Sequence, residues 1–125
     1  MLRSLIFIGL GSFAGGILRY LTQQYMQKYF PSSIPLGTLT VNIIGCFVIG
    51  IVYGLSTKGN IISPEVRIFL VTGLCGGYTT FSSFAYENIS LLQDGEFFYV
   101  SLYIFLSLFL GFAATFLGIL FIKII

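Results

Sequence analysis

The chain has 125 residues, 57% of them hydrophobic and only 8% charged, with mean hydropathy +1.01 and formal net charge +2. A soluble domain of this size keeps too much of its surface in water to carry so apolar a composition, so the chain reads as an integral membrane protein. The few scattered basic residues argue against a nucleic-acid binder, and histidine, CxxC and phosphate-loop patterns are all missing from the sequence.

A spanning helix needs about 20 mostly apolar residues. Four segments qualify: about Leu2 to Met26, Leu36 to Leu55, Val66 to Leu92, and Phe97 to Ile122. The first opens on Arg3 like a signal peptide. It lacks a small-residue cleavage site and stays apolar as far as Tyr20, so it is expected to belong to the mature protein. Turn residues join the crossings: Pro31–Pro35, Ser56–Asn60 and Gln93–Glu96. Ser63 and Pro64 predict a helix start, with Ser63 as cap. The expectation is an all-α, four-helix transmembrane chain of one domain, residues 1–125. Four crossings put both termini on one side. Arg3, Lys58, Arg67 and Lys123 fall there, which favours cytoplasmic termini.

Small residues recur four apart, at Gly11 and Gly15, Ser12 and Gly16, Gly50 and Gly54, and Ala114 and Gly118. This spacing lets helices approach closely in lipid, either inside one subunit or between two. Cys46 and Cys75 lie in apolar runs and read as small buried residues rather than a disulfide or metal pair.

Polar side chains at membrane depth are costly and face a cavity or a partner. Arg19 ends the first apolar run, where it either snorkels to the interface or serves a functional role. Asn42 sits well inside the second segment, with Thr38 one turn earlier on the same face. Its amide can bond a neighbouring helix or offer N–H donors to an anion. In the third segment, Gly73–Phe84 reads GLCGGYTTFSSF. Gly76-Gly77 predicts a break, because glycine leaves helical geometry at little cost. Carbonyls freed at such a break suit a small hard cation such as Na⁺. Phe81 and Phe84, three apart, share a face as the helix restarts, either packing into the core or turning positive ring edges towards a small anion, with the Ser82 and Ser83 hydroxyls beside them. Glu87 follows one turn later, either paired with Arg19 or at a vestibule. In the fourth segment Tyr103 and Ser107 share a face. Their hydroxyls either line a path or, for Ser107, bond back to the preceding turn.

Together these residues resemble the Fluc (CrcB) family of small fluoride channels. The resemblance rests on Gly15–Tyr20 (GGILRY), on Pro35–Gly45 (PLGTLTVNIIG), and on Gly73–Phe84 with Glu87. It implies an antiparallel, dual-topology homodimer in the bacterial inner membrane, with a central Na⁺ held by the backbone carbonyls of Gly76 and Thr79. It implies two fluoride pores at the dimer interface, lined by Asn42, Phe81, Phe84, Thr38, Ser82, Ser83, Tyr103 and Ser107. Arg19 and Glu87 would stand at the vestibule. No organic cofactor and no enzymatic activity are implied. Gly111 stands where some members carry a hydroxyl. The uneven basic residues leave a heterodimer of two related chains as the alternative assembly.

Two other classes compete. A proton-coupled exporter of the small multidrug-resistance type needs a carboxylate in its first helix, and none is present there. A non-transporting membrane subunit would use Asn42 and the phenylalanines for packing alone.

Overall fold

A computed structural model describes residues 1–59 and 61–125. The expected turn residue Asn60 lies outside the described part. Among the described residues every regular element is helical: α1 (Leu2–Tyr29), α2 (Leu36–Thr57), α3 (Pro64–Ile68), a π-helical segment (Phe69–Cys75), α4 (Gly76–Tyr78), α5 (Phe81–Gln93) and α6 (Phe97–Ile124). Four helical stretches are long and apolar enough to cross a membrane, with α3 to α5 together making the third. At 28 residues each, α1 and α6 are about 42 Å long, enough to span hydrocarbon and headgroups.

The ends follow local chemistry. Ser63 caps α3, its side chain accepting from the Val66 N–H at 3.2 Å, with Pro64 in the first turn. Gly95 turns the chain into α6 with φ +75°, a conformation that glycine adopts without strain.

The small residues set the packing, and they do so inside this chain. A Cβ on Gly11 would lie 2.6 Å from the Phe69 carbonyl oxygen, and one on Gly77 2.7 Å from that of Ser12. On the opposite side of the bundle α2 packs along α6, where a Cβ on Gly50 would lie 3.1 Å from Gly118 Cα. With no side chains between them, backbones meet and dispersion contacts accumulate. Two layers result, α1 against the third crossing and α2 against α6.

A core of Ile34, Leu39 and Tyr103, flanked by Phe84 and Leu91, closes the end near the α1–α2 loop. Large apolar side chains such as Phe13 and Phe112 point outwards, as suits a lipid-facing or partner-facing surface.

The break in the third crossing is not at the glycine pair. Gly76 is helical, with φ −60° and ψ −37°. The helix opens at Thr79 and Thr80, both extended, with ψ 159° and 118°. Gly77 is instead needed for close approach to α1. Just before the break, the seven-residue π-helical segment widens the helix, a rare feature that often marks functional sites.

Candidate functional site

The site is assembled around the Thr79–Thr80 break. Thr38, Asn42 and Gly45 recur every three to four residues along α2 and so share the face turned to it. Gly45 leaves the space that the Thr79 methyl group fills. Asn42 grips Thr80 at two points: its Oδ1 accepts from the Thr80 N–H at 2.8 Å, and its Nδ2 donates to the Thr80 carbonyl at 3.2 Å. One amide side chain thus satisfies both polar groups of an extended, buried residue, which would otherwise be costly at membrane depth.

The clamp has a second effect. In an unbroken helix the Thr80 N–H would bond the Gly76 carbonyl, and the Ser83 N–H would bond that of Thr79. Here Thr80 N–H goes to Asn42. Ser83 N–H goes to the Thr80 Oγ1 at 3.2 Å, which caps α5. The Gly76 and Thr79 oxygens are therefore among the carbonyls at the break without the donors that a continuous helix would supply. Among the described residues no cluster of three or more His, Cys, Asp or Glu could hold a metal through side chains.

Beside the break lies a cavity of about 340 Å³ lined by Asn42, Cys46, Thr80, Phe81, Phe84 and Ser107, among others. Phe81 is 78% exposed in the single chain, and its ring centroid lies 5.9 Å from that of Phe84. Phe84 in turn meets Tyr103 edge-on at 5.0 Å. Ser107 Oγ is buried with no hydrogen-bond partner. It is spared the usual bond to the preceding turn, which Thr115 makes to Gly111 at 3.0 Å.

A larger, polar cavity of about 610 Å³ opens near the α1–α2 loop, lined among others by Gln23, Gln24, Gln27, Thr38, Ser83 and Glu87. At its floor Glu87 accepts from Thr38 Oγ1 and from Tyr103 OH, each at 2.8 Å, one bond to each carboxylate oxygen. Gln23 Nε2 donates to Thr38 Oγ1 at 3.2 Å. Glu87 is thus held by hydroxyls rather than by Arg19, whose Nε is buried without a partner.

The expected site residues therefore separate. Asn42, Thr79, Phe81, Phe84 and Ser107 gather at the smaller cavity, and Thr38, Ser83 and Glu87 at the mouth. Tyr103 is fully buried behind Phe84 and lines neither cavity. Ser82 is exposed, 3.3 Å from Thr80 Oγ1. Sequence reasoning missed Thr80, Gly45 and Gln23. For Thr80 a signal was available, because a threonine just before a renewed helical run is a capping residue.

These features define a class: a small multi-pass helical membrane protein whose third crossing opens around a compact polar site. The chain belongs to the CrcB family, whose model, described as CrcB-like protein, Camphor Resistance (CrcB), matches residues 6–119. It is 46% identical over 122 residues to a protein of Flavobacterium psychrophilum named fluoride-specific ion channel FluC, covering 98% of each chain. A Gloeothece citriformis protein of the same name is 50% identical over 119 residues, covering 95% of this chain and 94% of the relative. One from Campylobacter jejuni is 44% identical over 124 residues, covering 98% and 100% respectively. The relatives are named as channels, not as enzymes.

Proposed function

We propose that this chain is a fluoride-selective channel that lets cytoplasmic fluoride leave the cell passively. The observation that carries this reading is the cavity at the Thr79–Thr80 break, lined by Asn42, two phenylalanines and Ser107, whose hydroxyl is buried without a protein partner. The names of the relatives supply the ion.

The chemistry is suited to a small anion that accepts hydrogen bonds strongly. Ser107 offers an O–H. Asn42 has one N–H on Thr80 and a second N–H to spare. Phe81 and Phe84 present rings whose edges carry partial positive charge. None of these groups carries full charge, so an anion is stabilised without being trapped, as conduction requires. Glu87 accepts the hydrogen bonds that Thr38 and Tyr103 donate. The donors left at the mouth are the glutamine amides and the Ser32, Ser33 and Ser83 hydroxyls.

Fluoride enters cells as HF, which dissociates in the more alkaline cytoplasm. Export of the anion is favoured by the membrane potential, at about 2.3 kcal/mol per charge per 100 mV. No energy source and no covalent step are needed.

What one chain lacks supports a paired assembly. Phe81 is mostly exposed beside the cavity, and the freed oxygens of Gly76 and Thr79 are too few to surround an ion. An antiparallel second copy in the bacterial inner membrane would cover the ring and double the oxygens to four. A Na⁺ bound there would supply a fixed positive charge between the two breaks. Gly76, Thr79 and the Asn42 clamp would hold the carbonyls in position. A related second chain of opposite orientation is the alternative partner.

The deciding experiment is efflux from liposomes containing the purified protein, read by a fluoride electrode under a clamped K⁺ gradient. Fluoride release without chloride release is the expected result. No fluoride release from folded protein, alone or with a co-encoded related chain, would refute the channel reading. A C-terminal tag labelled equally from both membrane faces is expected for the homodimer, and labelling from one face would exclude it.

A further inference from the structure

A third cavity, of about 520 Å³, lies at the face from which the chain termini emerge, between the start of α1, the end of α2 and the start of the third crossing. Conduction as described above does not use it. Its lining has an unusual mixture: hydroxyls from Ser4, Tyr53 and Thr72, opposite charges from Glu65 and Arg67, and apolar surface from Ile68.

Depth sorts these groups. Glu65 and Arg67 lie in α3, close to where the third crossing begins at Pro64, and Ser4 lies near the start of α1. Thr72 is five residues beyond Arg67, hence about 7 Å deeper along the helix. Charges therefore stand at headgroup level, with hydroxyl and apolar groups below them. A guanidinium presents paired N–H donors that match phosphate oxygens. A carboxylate two residues away repels a purely anionic ligand but accepts readily from an ammonium group. Both signs in one recess select a zwitterion.

We propose that this cavity binds the headgroup of a zwitterionic aminophospholipid. Arg67 holds the phosphate and Glu65 the primary ammonium. Ser4, Tyr53 and Thr72 reach the glycerol and ester oxygens, and an acyl chain runs over Ile68. An uncharged glycerol headgroup would leave Glu65 without a cation. A choline headgroup has no N–H to donate to it.

The test is native mass spectrometry of the purified full chain. It would be offered equal amounts of phosphatidylethanolamine, phosphatidylglycerol and phosphatidylcholine with matched acyl chains. Phosphatidylethanolamine should be retained about tenfold or more over either competitor, the scale of one hydrogen bond to a charged group. Glu65→Gln should bring it down to the level of phosphatidylcholine, and Arg67→Gln should weaken all three. Equal retention of the three lipids by the unaltered protein would overturn the proposal without any variant. So would an unchanged preference in Glu65→Gln. No lipid retained at all would mean that a protein surface, such as a second copy, fills the recess, and would equally overturn it.

Discussion

Replacing Asn42 by alanine separates a structural clamp from a simple pore donor. The side chain makes two hydrogen bonds to Thr80, at 2.8 and 3.2 Å, and Thr80 is only 7% exposed. Alanine leaves one buried N–H and one buried carbonyl without partners. Each such group costs about 1–3 kcal/mol in protein interiors, while interhelical hydrogen bonds in membranes average nearer 0.6 kcal/mol because the unfolded reference state finds partners too. Thr80 has no helical alternative while the break persists, so the expected loss is about 2–4 kcal/mol. Reversible unfolding in mixed micelles titrated with SDS would measure it, and liposome efflux would measure conduction on the same preparation. Both stability and flux should fall. A loss of stability below about 0.5 kcal/mol would refute the clamp, even if flux vanished, because Asn42 would then act on the ion alone.

Phe84→Ile should reduce fluoride flux and also cost about 1 kcal/mol, the scale of the lost edge-on contact with Tyr103. Phe81→Ile, on a mostly exposed ring, should reduce flux with little change in subunit stability, and normal flux in both variants would remove the rings from the mechanism. Gly50→Ala should destabilise the chain by about 1–3 kcal/mol, because its Cβ meets the α6 backbone, whereas Gly9→Ala, with open space around it, should be tolerated. Equal effects in an unfolding assay would contradict this packing. Glu87→Gln keeps an acceptor oxygen at the mouth and withdraws the charge. At about 6 Å in water-like dielectric that charge opposes an arriving anion by about 0.7 kcal/mol, so efflux at low salt should rise about threefold and the gain should shrink at high salt.

The crossings could be read from hydropathy alone. The first ends at Tyr29 rather than Met26, the second and fourth start where expected, and the Ser63 cap is in place. The break in the third crossing was legible in kind but misplaced by three residues. Gly76-Gly77 can leave helical geometry, but permissiveness does not force departure. What opens the helix is capture of the Thr80 backbone by Asn42, together with the Thr80 cap on Ser83. That capture depends on two residues 38 positions apart, and no local pattern encodes it. The π-helical segment Phe69–Cys75 had no signal in the sequence either. Glu87 was recognised as out of place in lipid. The sequence suggests Arg19 or a vestibule for it, and its actual partners, Thr38 and Tyr103, lie on other helices where no local pattern points to them.

The fate of the hydroxyls narrows where an anion would meet the protein. Ser56, Ser101 and Thr115 bond back to their own helices, and Thr22 bonds to Leu18 and Tyr78. Thr80 and Ser63 are spent as caps, and Thr38 and Tyr103 on Glu87. Ser107, a residue that lines the cavity at the break, keeps a buried hydroxyl with no partner. An unpaired buried hydroxyl lowers stability, so it persists where a ligand supplies the missing bond. Ser107→Ala should therefore leave the fold intact with no loss of stability, since no protein hydrogen bond is lost and an unpaired buried hydroxyl is removed. Flux should nevertheless fall about tenfold or more, the scale of one hydrogen bond to a charged acceptor. Thr115→Ala, which removes only a bond back to its own helix, is the matched control and should conduct normally. If the two variants conduct alike, the free hydroxyl is not part of the path.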